Sequence, residues 1–505
     1  MTAEKAFRFV ILGGGSAGWI TANLFAHHWR GKNVEIQVVE SPDIGIIGVG
    51  EGSTPQLKAF FDQLNISESL WMPACDATYK IGIRFAGWSH KNGYDSYFHP
   101  FPAPLDMHSE PSFIRNAAMR RAGIDVPAHP DSFYLSPHLA AQRSGPHPSD
   151  NFPFELSYGY HFDAYKLGDF LRGHAASLGV RHIPMRIEDV IVGDDGNVDA
   201  LLGEEGQRID GDFFVDCSGF RAIINEKALG APYIPFADNL FNNRAVVMPT
   251  PPDLDAAGSA AIATGATAMN AGWRWSIPLT QRHGNGYVYS DKYIDPDAAE
   301  TELRAALDML DSDVSARHLQ MRVGRLADSW SANSLAMGLS QGFIEPLEAT
   351  AIHIVIATAQ QFMAAFDDGE FGPKNRDIFN QRIAARYEGI RDYIVAHYRL
   401  NQRGDNDYWR DNAANDHLSD NLKAMMTAWF TGKDMAAEIA RLNIGNYYGN
   451  ISWHCLFAGY GVFPDSRKLR APLPHEGAAD MVKIAHFMAG AARNFGSHKA
   501  SLDRL

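Results

Sequence analysis

The chain has 505 residues, enough to bury a large core and to form more than one structural unit. Its 59 acidic residues outnumber 45 basic ones, and the resulting charge of -14 excludes the basic footprint that nucleic acid or an anionic membrane would need. Cys75, Cys217 and Cys455 are widely spaced without metal-ligand spacing, no apolar run approaches membrane-spanning length, and no leader precedes the first strand, so free thiols and a cytoplasmic location are expected.

Residues 7–12 are apolar and predict a strand. Gly13-Gly14-Gly15-Ser16-Ala17-Gly18 follows as a tight turn, then residues 19–28 as a helix and 34–40 as a second strand ending on Glu40. Gly13, Gly15 and Gly18 have the Gly-x-Gly-x-x-Gly spacing of a dinucleotide-binding βαβ unit. One glycine makes the turn, one admits a pyrophosphate against bare backbone, and one lets helix and strand pack closely. Glu40, roughly twenty residues further on, stands where a ribose hydroxyl is accepted. This stretch does not choose between FAD and NAD.

Gly45, Gly48 and Gly50 space residues 44–51 as a strap of exposed backbone, and Thr54 with Pro55 starts a helix running to about residue 64. Residues 78–88 alternate, with Tyr79, Ile81, Ile83 and Phe85 on one strand face and Thr78, Lys80, Gly82 and Arg84 on the other. Taken alone, Lys80 reads as a lysine on the wet face. His99 and Phe101, in the aromatic turn 97–101, read as packing residues. Residues 105–155 are irregular, with one helix near 112–122, and look like an insertion on the cofactor domain. Tyr160-His161-Phe162-Asp163 opens a helix to about 178, residues 181–209 form a meander, and 212–219 form a buried strand returning to the main sheet beside the dinucleotide.

Residues 244–248, 261–268, 273–279 and 286–290 predict a second sheet. Trp273, Trp275 and Ile277 share one face there, and cross-strand packing alone accounts for them as well as a site does. Pro346 stands at the expected start of a helix through 357 that is apolar almost all round and therefore buried. Its first amides, around Glu348 to Ala351, offer a place for an anion or a flavin carbonyl, while Glu348 by itself reads as dipole compensation. Helices follow at 375–400, 420–430, 434–442 and 477–493, and 497–505 reads as a polar tail. The fold class is α/β: a βαβ cofactor core with a second sheet over 1–370 and a helical substrate-side region over 371–505.

Trp273-Arg274-Trp275-Ser276-Ile277-Pro278 matches the Trp-x-Trp-x-Ile-Pro motif of the flavin-dependent halogenases, the class that includes the tryptophan halogenases. Gly48-Val49-Gly50-Glu51 resembles the family's flavin strap, Thr78-Tyr79-Lys80 its catalytic-lysine strand, and His99-Pro100-Phe101 its substrate-side turn. Tyr160-His161-Phe162-Asp163, Asp216-Cys217-Ser218-Gly219-Phe220 and Gly342-Phe343-Ile344-Glu345-Pro346-Leu347-Glu348 resemble further segments in the family's order.

The resemblance implies FAD held by the opening loop, including Ser16 and Ala17, together with Gly48, Val49, Gly50 and Asp216. The cofactor would be used as FADH2, made by a separate NAD(P)H-dependent flavin reductase, and would react with O2. Bromide or chloride bound near the amides of Thr350 and Ala351 would become hypohalous acid. Lys80 would deliver the halogen to an aromatic carbon, and Glu348 would assist delivery or take the ring proton. Trp273 and Trp275 would separate substrate from flavin, and His99, Phe101 and Trp453 would lie on the substrate side.

Two residues depart from the family pattern: Ala349 stands where serine is usual, and Ala351 where glycine or serine is usual. A larger departure follows Tyr447-Tyr448-Gly449-Asn450, which runs almost directly into Ser452-Trp453-His454-Cys455. Tryptophan halogenases carry between these a segment that grips the amino-acid part of the substrate. Its loss implies a more open site acting on indole or another electron-rich aromatic. Two other readings share the opening fold: a flavin monooxygenase that places oxygen on the ring, and a flavin-binding protein without chemistry. Retention of both Lys80 and Glu348 speaks against the second.

Overall fold

A computed structural model describes residues 5–43 and 50–505. Phe7–Leu12, apolar on both faces, lies inside a sheet whose order is Trp330–Ser331, Ser334–Ala336, Phe213–Asp216, Phe7–Leu12, Val34–Glu40, Arg181–Pro184. All of these neighbours are parallel except the first pair. Parallel strands must be covered on both faces, which explains why Phe9, Val10, Ile11, Phe214 and Val215 are all buried. The sheet belongs to one compact unit, made of Met1–Ala77, Phe162–Ala237 and Met321–Tyr387.

Helices Ser16–His28 and Ala351–Asp368 pack in this unit through an aromatic cluster. The Phe362 ring lies 5.0 Å from Trp330, 5.1 Å from Phe213 and 5.0 Å from Phe366. Trp29 stacks on Phe9 at 4.6 Å, and its Nε1 donates to Asp367 at 3.0 Å. Lys32 and His28 also reach that carboxylate, at 3.0 and 2.7 Å, so the C-terminal ends of both helices share one anion.

The second unit is Thr78–His161, Asp238–Gln320 and Glu388–Leu505. Its seven-stranded sheet runs Arg317–Gln320, Arg244–Thr250, His283–Tyr289, Gly272–Pro278, Thr264–Met269, Gly82–Ala86, Ser96–Pro100. All four predicted strands of the second sheet are present in it. Helices Asp420–Phe430, Met435–Leu442 and Met481–Ala492 match expectation, and Arg376–Arg399 matches the predicted 375–400 helix. No helix among the described residues is long and apolar enough to cross a membrane.

The two compact units interleave along the chain, and residues 105–155 fall in the second. Several expectations need correction. The predicted strand 78–88 is two strands, Thr78–Lys80 and Gly82–Ala86, which enter different sheets. The helix expected from Pro346 begins at Ala351, because Ala349 is left-handed (φ 55°) and interrupts the turn. The polar tail is structured: Phe495–Ser497 pairs with Ser144–Pro148, and His498–Leu502 is helical. Helices Glu68–Ala74, Pro296–Ala306, Asp407–Ala414 and Asn450–Gly459 were not anticipated.

Phe362 is fully buried at the centre of the aromatic cluster. Phe362→Ala is expected to lower unfolding free energy by about 3–5 kcal/mol, read from the urea midpoint at constant m-value.

Candidate functional site

The glycine loop has the geometry its spacing requires. Gly13 has φ 116°, and a Cβ there would lie 2.2 Å from the Cys217 carbonyl oxygen; one on Gly18 would lie 1.9 Å from the Gly13 oxygen. Open space faces Gly15, which caps helix Ser16–His28 with extended backbone and no side-chain bond. The helix therefore presents its first amides, around Ser16 and Ala17, uncovered to an anion. Ser16 Oγ is buried without a hydrogen-bond partner among the described residues, as expected of a group that needs a ligand. Glu40 closes the loop: its carboxylate occupies the space a Gly14 side chain would take and faces His182 Nε2 at 3.0 Å. Burial raises the Glu40 pKa, and His182 opposes the rise. These residues fit the pyrophosphate and ribose of FAD.

The Asp216 carboxylate, expected to contact the cofactor, is hydrogen-bonded within the chain. One oxygen accepts from Ser218 N, Ser218 Oγ and Ser340 Oγ; the other accepts from Ile224 N and Asn225 N at 2.8 and 3.0 Å. Both oxygens are committed to the chain, so Asp216 shapes the loop wall beside Cys217. Gly50 is buried at φ 103°, whereas Gly48 and Val49 lie outside the described residues.

Glu348 occupies the turn before helix Ala351–Asp368, where Ala349 N donates to Pro346 O at 3.0 Å. Glu345, Glu348 and Thr350 are buried. Thr350 caps the helix without a side-chain bond, and Ala351 is its first residue, so the amides proposed for halide remain at the helix start despite its later beginning. His353 follows within the first turn. Its Nδ1 lies 3.3 Å from Thr54 Oγ1, and burial with Arg386 nearby lowers its pKa to about 4.

Lys80, in the second unit, has no exposed surface, which overturns its reading as a wet-face lysine. It ends the strand Thr78–Lys80, opposite Gly159, with Nζ 5.5 Å from the Phe101 ring centroid. Thr78 Oγ1 donates to Pro278 O at 2.7 Å, tying this strand to the Trp-x-Trp-x-Ile-Pro strand. That leaves Thr78 Oγ1 to accept from His161 Nδ1 at 3.2 Å, so His161 Nε2 must accept from Thr264 Oγ1 at 2.9 Å. His161 is thereby a neutral imidazole of fixed tautomer. Burial, then Lys80, His498 and His283, hold its pKa well below the usual value.

Trp273, Trp275 and Ile277 are buried on one face, the two indoles 6.2 Å apart. The Trp275 ring lies over Gly286, where a Cβ would be 2.0 Å away. Of the residues expected on the substrate side, His99 meets Ser452 Oγ through Nε2 at 3.1 Å, and Tyr393 donates to Ser452 O at 2.9 Å. Tyr393 stacks on Tyr448 at 3.6 Å and meets Trp453 edge-on at 5.0 Å. Ser452 and Tyr393 were not anticipated; nothing local in the sequence marks either. Helix Asn450–Gly459 starts immediately after Gly449.

The tryptophan halogenase family model matches residues 8–474. The chain is similar to 7-chloro-L-tryptophan 6-halogenase KtzR of Kutzneria sp. (strain 744), at 36% identity with 93% of each chain covered. Among solved structures it resembles the tryptophan 6-halogenase SttH of Streptomyces toxytricini, with a TM-score of 0.85 at 30% identity, covering 99% of this chain and 100% of that one. It also resembles BrvH, a flavin-dependent halogenase of Brevundimonas sp. BAL3, with a TM-score of 0.82 at 31% identity and the same coverage.

Glu51 was not anticipated as a titrating group. Burial, with Asp163 nearby, pushes its carboxyl from the ordinary 4.5 up to about 7. A folded-state pKa raised in this way contributes stability below the unfolded value and loses it as pH rises through the folded value. Glu51→Gln should therefore be more stable than the parent near pH 8 and lose that advantage near pH 5, as read from Tm against pH.

Proposed function

Because the chain belongs to the tryptophan halogenase family and is a flavin-dependent halogenase, we propose that Lys80 hands electrophilic halogen to an indole-like ring and Glu348 takes up the ring proton. The observation that carries this reading is the burial of Lys80 on a strand fixed by hydrogen bonds that it donates to its neighbours, beside the Phe101 ring. A freely diffusing hypohalous acid is indiscriminate, so regiochemistry needs a donor fixed next to one carbon.

FAD would be held by Gly13, Gly15, Ser16, Ala17, Gly18 and Glu40; bound in reduced form, it supplies with O2 the oxidation of bromide or chloride to hypohalous acid. The amides of Thr350 and Ala351 would hold the halide at the positive end of their helix. Lys80 Nζ would hold the oxidant, either by hydrogen bonding or as a haloamine. At the ring, the carbon–halogen bond forms as the bond from halogen to oxygen or nitrogen breaks, and Glu348 accepts the displaced proton. A carboxylate placed for that cation is worth a few kcal/mol, typically about 3. Trp273 and Trp275 would keep the ring from the flavin. The sequence carries no second glycine-rich nucleotide loop, which supports supply of reduced flavin by a separate NAD(P)H-dependent reductase.

For the substrate, the immediate start of helix Asn450–Gly459 after Gly449 supports the loss of the amino-acid grip. The acceptor would then be indole or a related aromatic, with His99, Phe101 and Trp453 beside it.

FAD, NADH, a flavin reductase, O2, halide and indole are expected to yield product with a halogen isotope pattern in its mass. Lys80→Ala should lose that product with FAD affinity intact, and Glu348→Gln should lower kcat roughly 100- to 1000-fold. Oxygenated product without halogen would establish the monooxygenase reading instead. Tryptophan saturating at micromolar concentration or below, with its ammonium and carboxylate both required, would overturn the indole assignment.

A further inference from the structure

The strand that carries Lys80 lies at the edge of its sheet, so the amides on its outer side must find partners other than a strand. Ile81 N donates to Ile262 O at 3.0 Å. Tyr79 N, next to Lys80, donates to a side chain: His498 Nε2 at 3.2 Å. An imidazole nitrogen that accepts from an amide is unprotonated, so the proton is on Nδ1, which donates to Ala260 O at 3.0 Å. His498 is fully buried, and burial lowers its pKa to about 4, keeping it in this neutral form.

The segment bearing His498 is itself fixed. Phe495–Ser497 pairs with Ser144–Pro148, and His498 N donates to Arg143 O at 2.8 Å. Ser501 packs so closely on Gly145 that a Cβ on the glycine would lie 1.9 Å from Ser501 Oγ. The Tyr79 ring is met by His147 at 5.0 Å, Tyr158 at 5.4 Å and His498 at 6.0 Å. We infer that His498 is a positioning residue for halogenation: the C-terminal segment supplies a side-chain acceptor that fixes the Tyr79 amide, and with it the position of Lys80 Nζ. This inference rests on Lys80 as the delivery residue.

Two substitutions separate the bonds. His498→Asn keeps a donor within reach of Ala260 O but is too short to accept from Tyr79 N; His498→Gln keeps an acceptor at the position of Nε2. With reductase, bromide and indole, His498→Asn is expected to lower kcat roughly 10- to 100-fold, the scale of a misplaced reacting group. The KM for indole and the Kd for FAD should stay within about twofold, and hypohalous acid caught in solution by a β-diketone scavenger should rise as bromoindole falls. His498→Gln should recover kcat to within about threefold of the parent. Unchanged kcat in His498→Asn, parallel loss of FAD binding and oxidant, or no recovery in His498→Gln would each overturn the inference. Lys80→Ala, run alongside, distinguishes the two failures: if it still brominates indole, the delivery reading itself is wrong.

Discussion

A lysine with no exposed surface sets the terms for the second unit. Removing an ammonium from water costs several kcal/mol even after relaxation, and a position where it survives must be held against collapse and against water. The surroundings of Lys80 meet that demand with short, neutral bonds. Thr78, His161 and Thr264 form a chain in which each donor has one acceptor, and His161 stays uncharged because burial, and then the nearby Lys80, disfavour its cationic form. The Phe101 face, 5.5 Å from Nζ, adds a cation–π contact of about 0.5–2 kcal/mol.

The first unit is organised on the opposite charge. Gly13, Gly15 and Gly18 leave backbone amides bare at the start of one helix, and Thr350 leaves them bare at the start of another. Each helix start attracts an anion, and each is held by packing at its far end, where Trp29, His28 and Lys32 converge on Asp367. The N-terminal ends lack side-chain caps while the far ends are tied together. This division keeps the uncovered amides rigid without filling the space in front of them.

Much of this was legible in the sequence because period and spacing are local. The glycine loop, the first two strands, the second sheet and the Trp273–Trp275 face follow from residues that are neighbours in the chain. Lys80 shows where that logic stops. Alternation assigns it a face of the strand but cannot say that the side chain is buried, which depends on segments such as strand 159–162 arriving from far along the chain. The helix start failed for a local reason: Pro346 has the right φ for a first helical position, but Ala349 takes a left-handed conformation that alanine composition does not announce. Asp216 pairs with Leu12 beside the glycine loop, and only its bond partners reveal how it holds the loop wall.

His498 and Ser452 were invisible for the same physical reason as each other. Each is a polar residue whose role is defined by a partner hundreds of residues away in sequence, Tyr79 for one and His99 for the other. Hydrogen bonds of this kind leave no periodic trace, so a polar tail and a polar helix start look alike in composition whether or not they are committed. The family motif points to Lys80 as the lysine proposed to react, but the groups holding its strand are distributed over Pro278, Thr264, Ile262 and His498, outside any single motif. An active lysine in this fold is therefore a property of several distant segments closing on one short edge strand, and transferring Thr78-Tyr79-Lys80 alone to another sheet would transfer the side chain without its position.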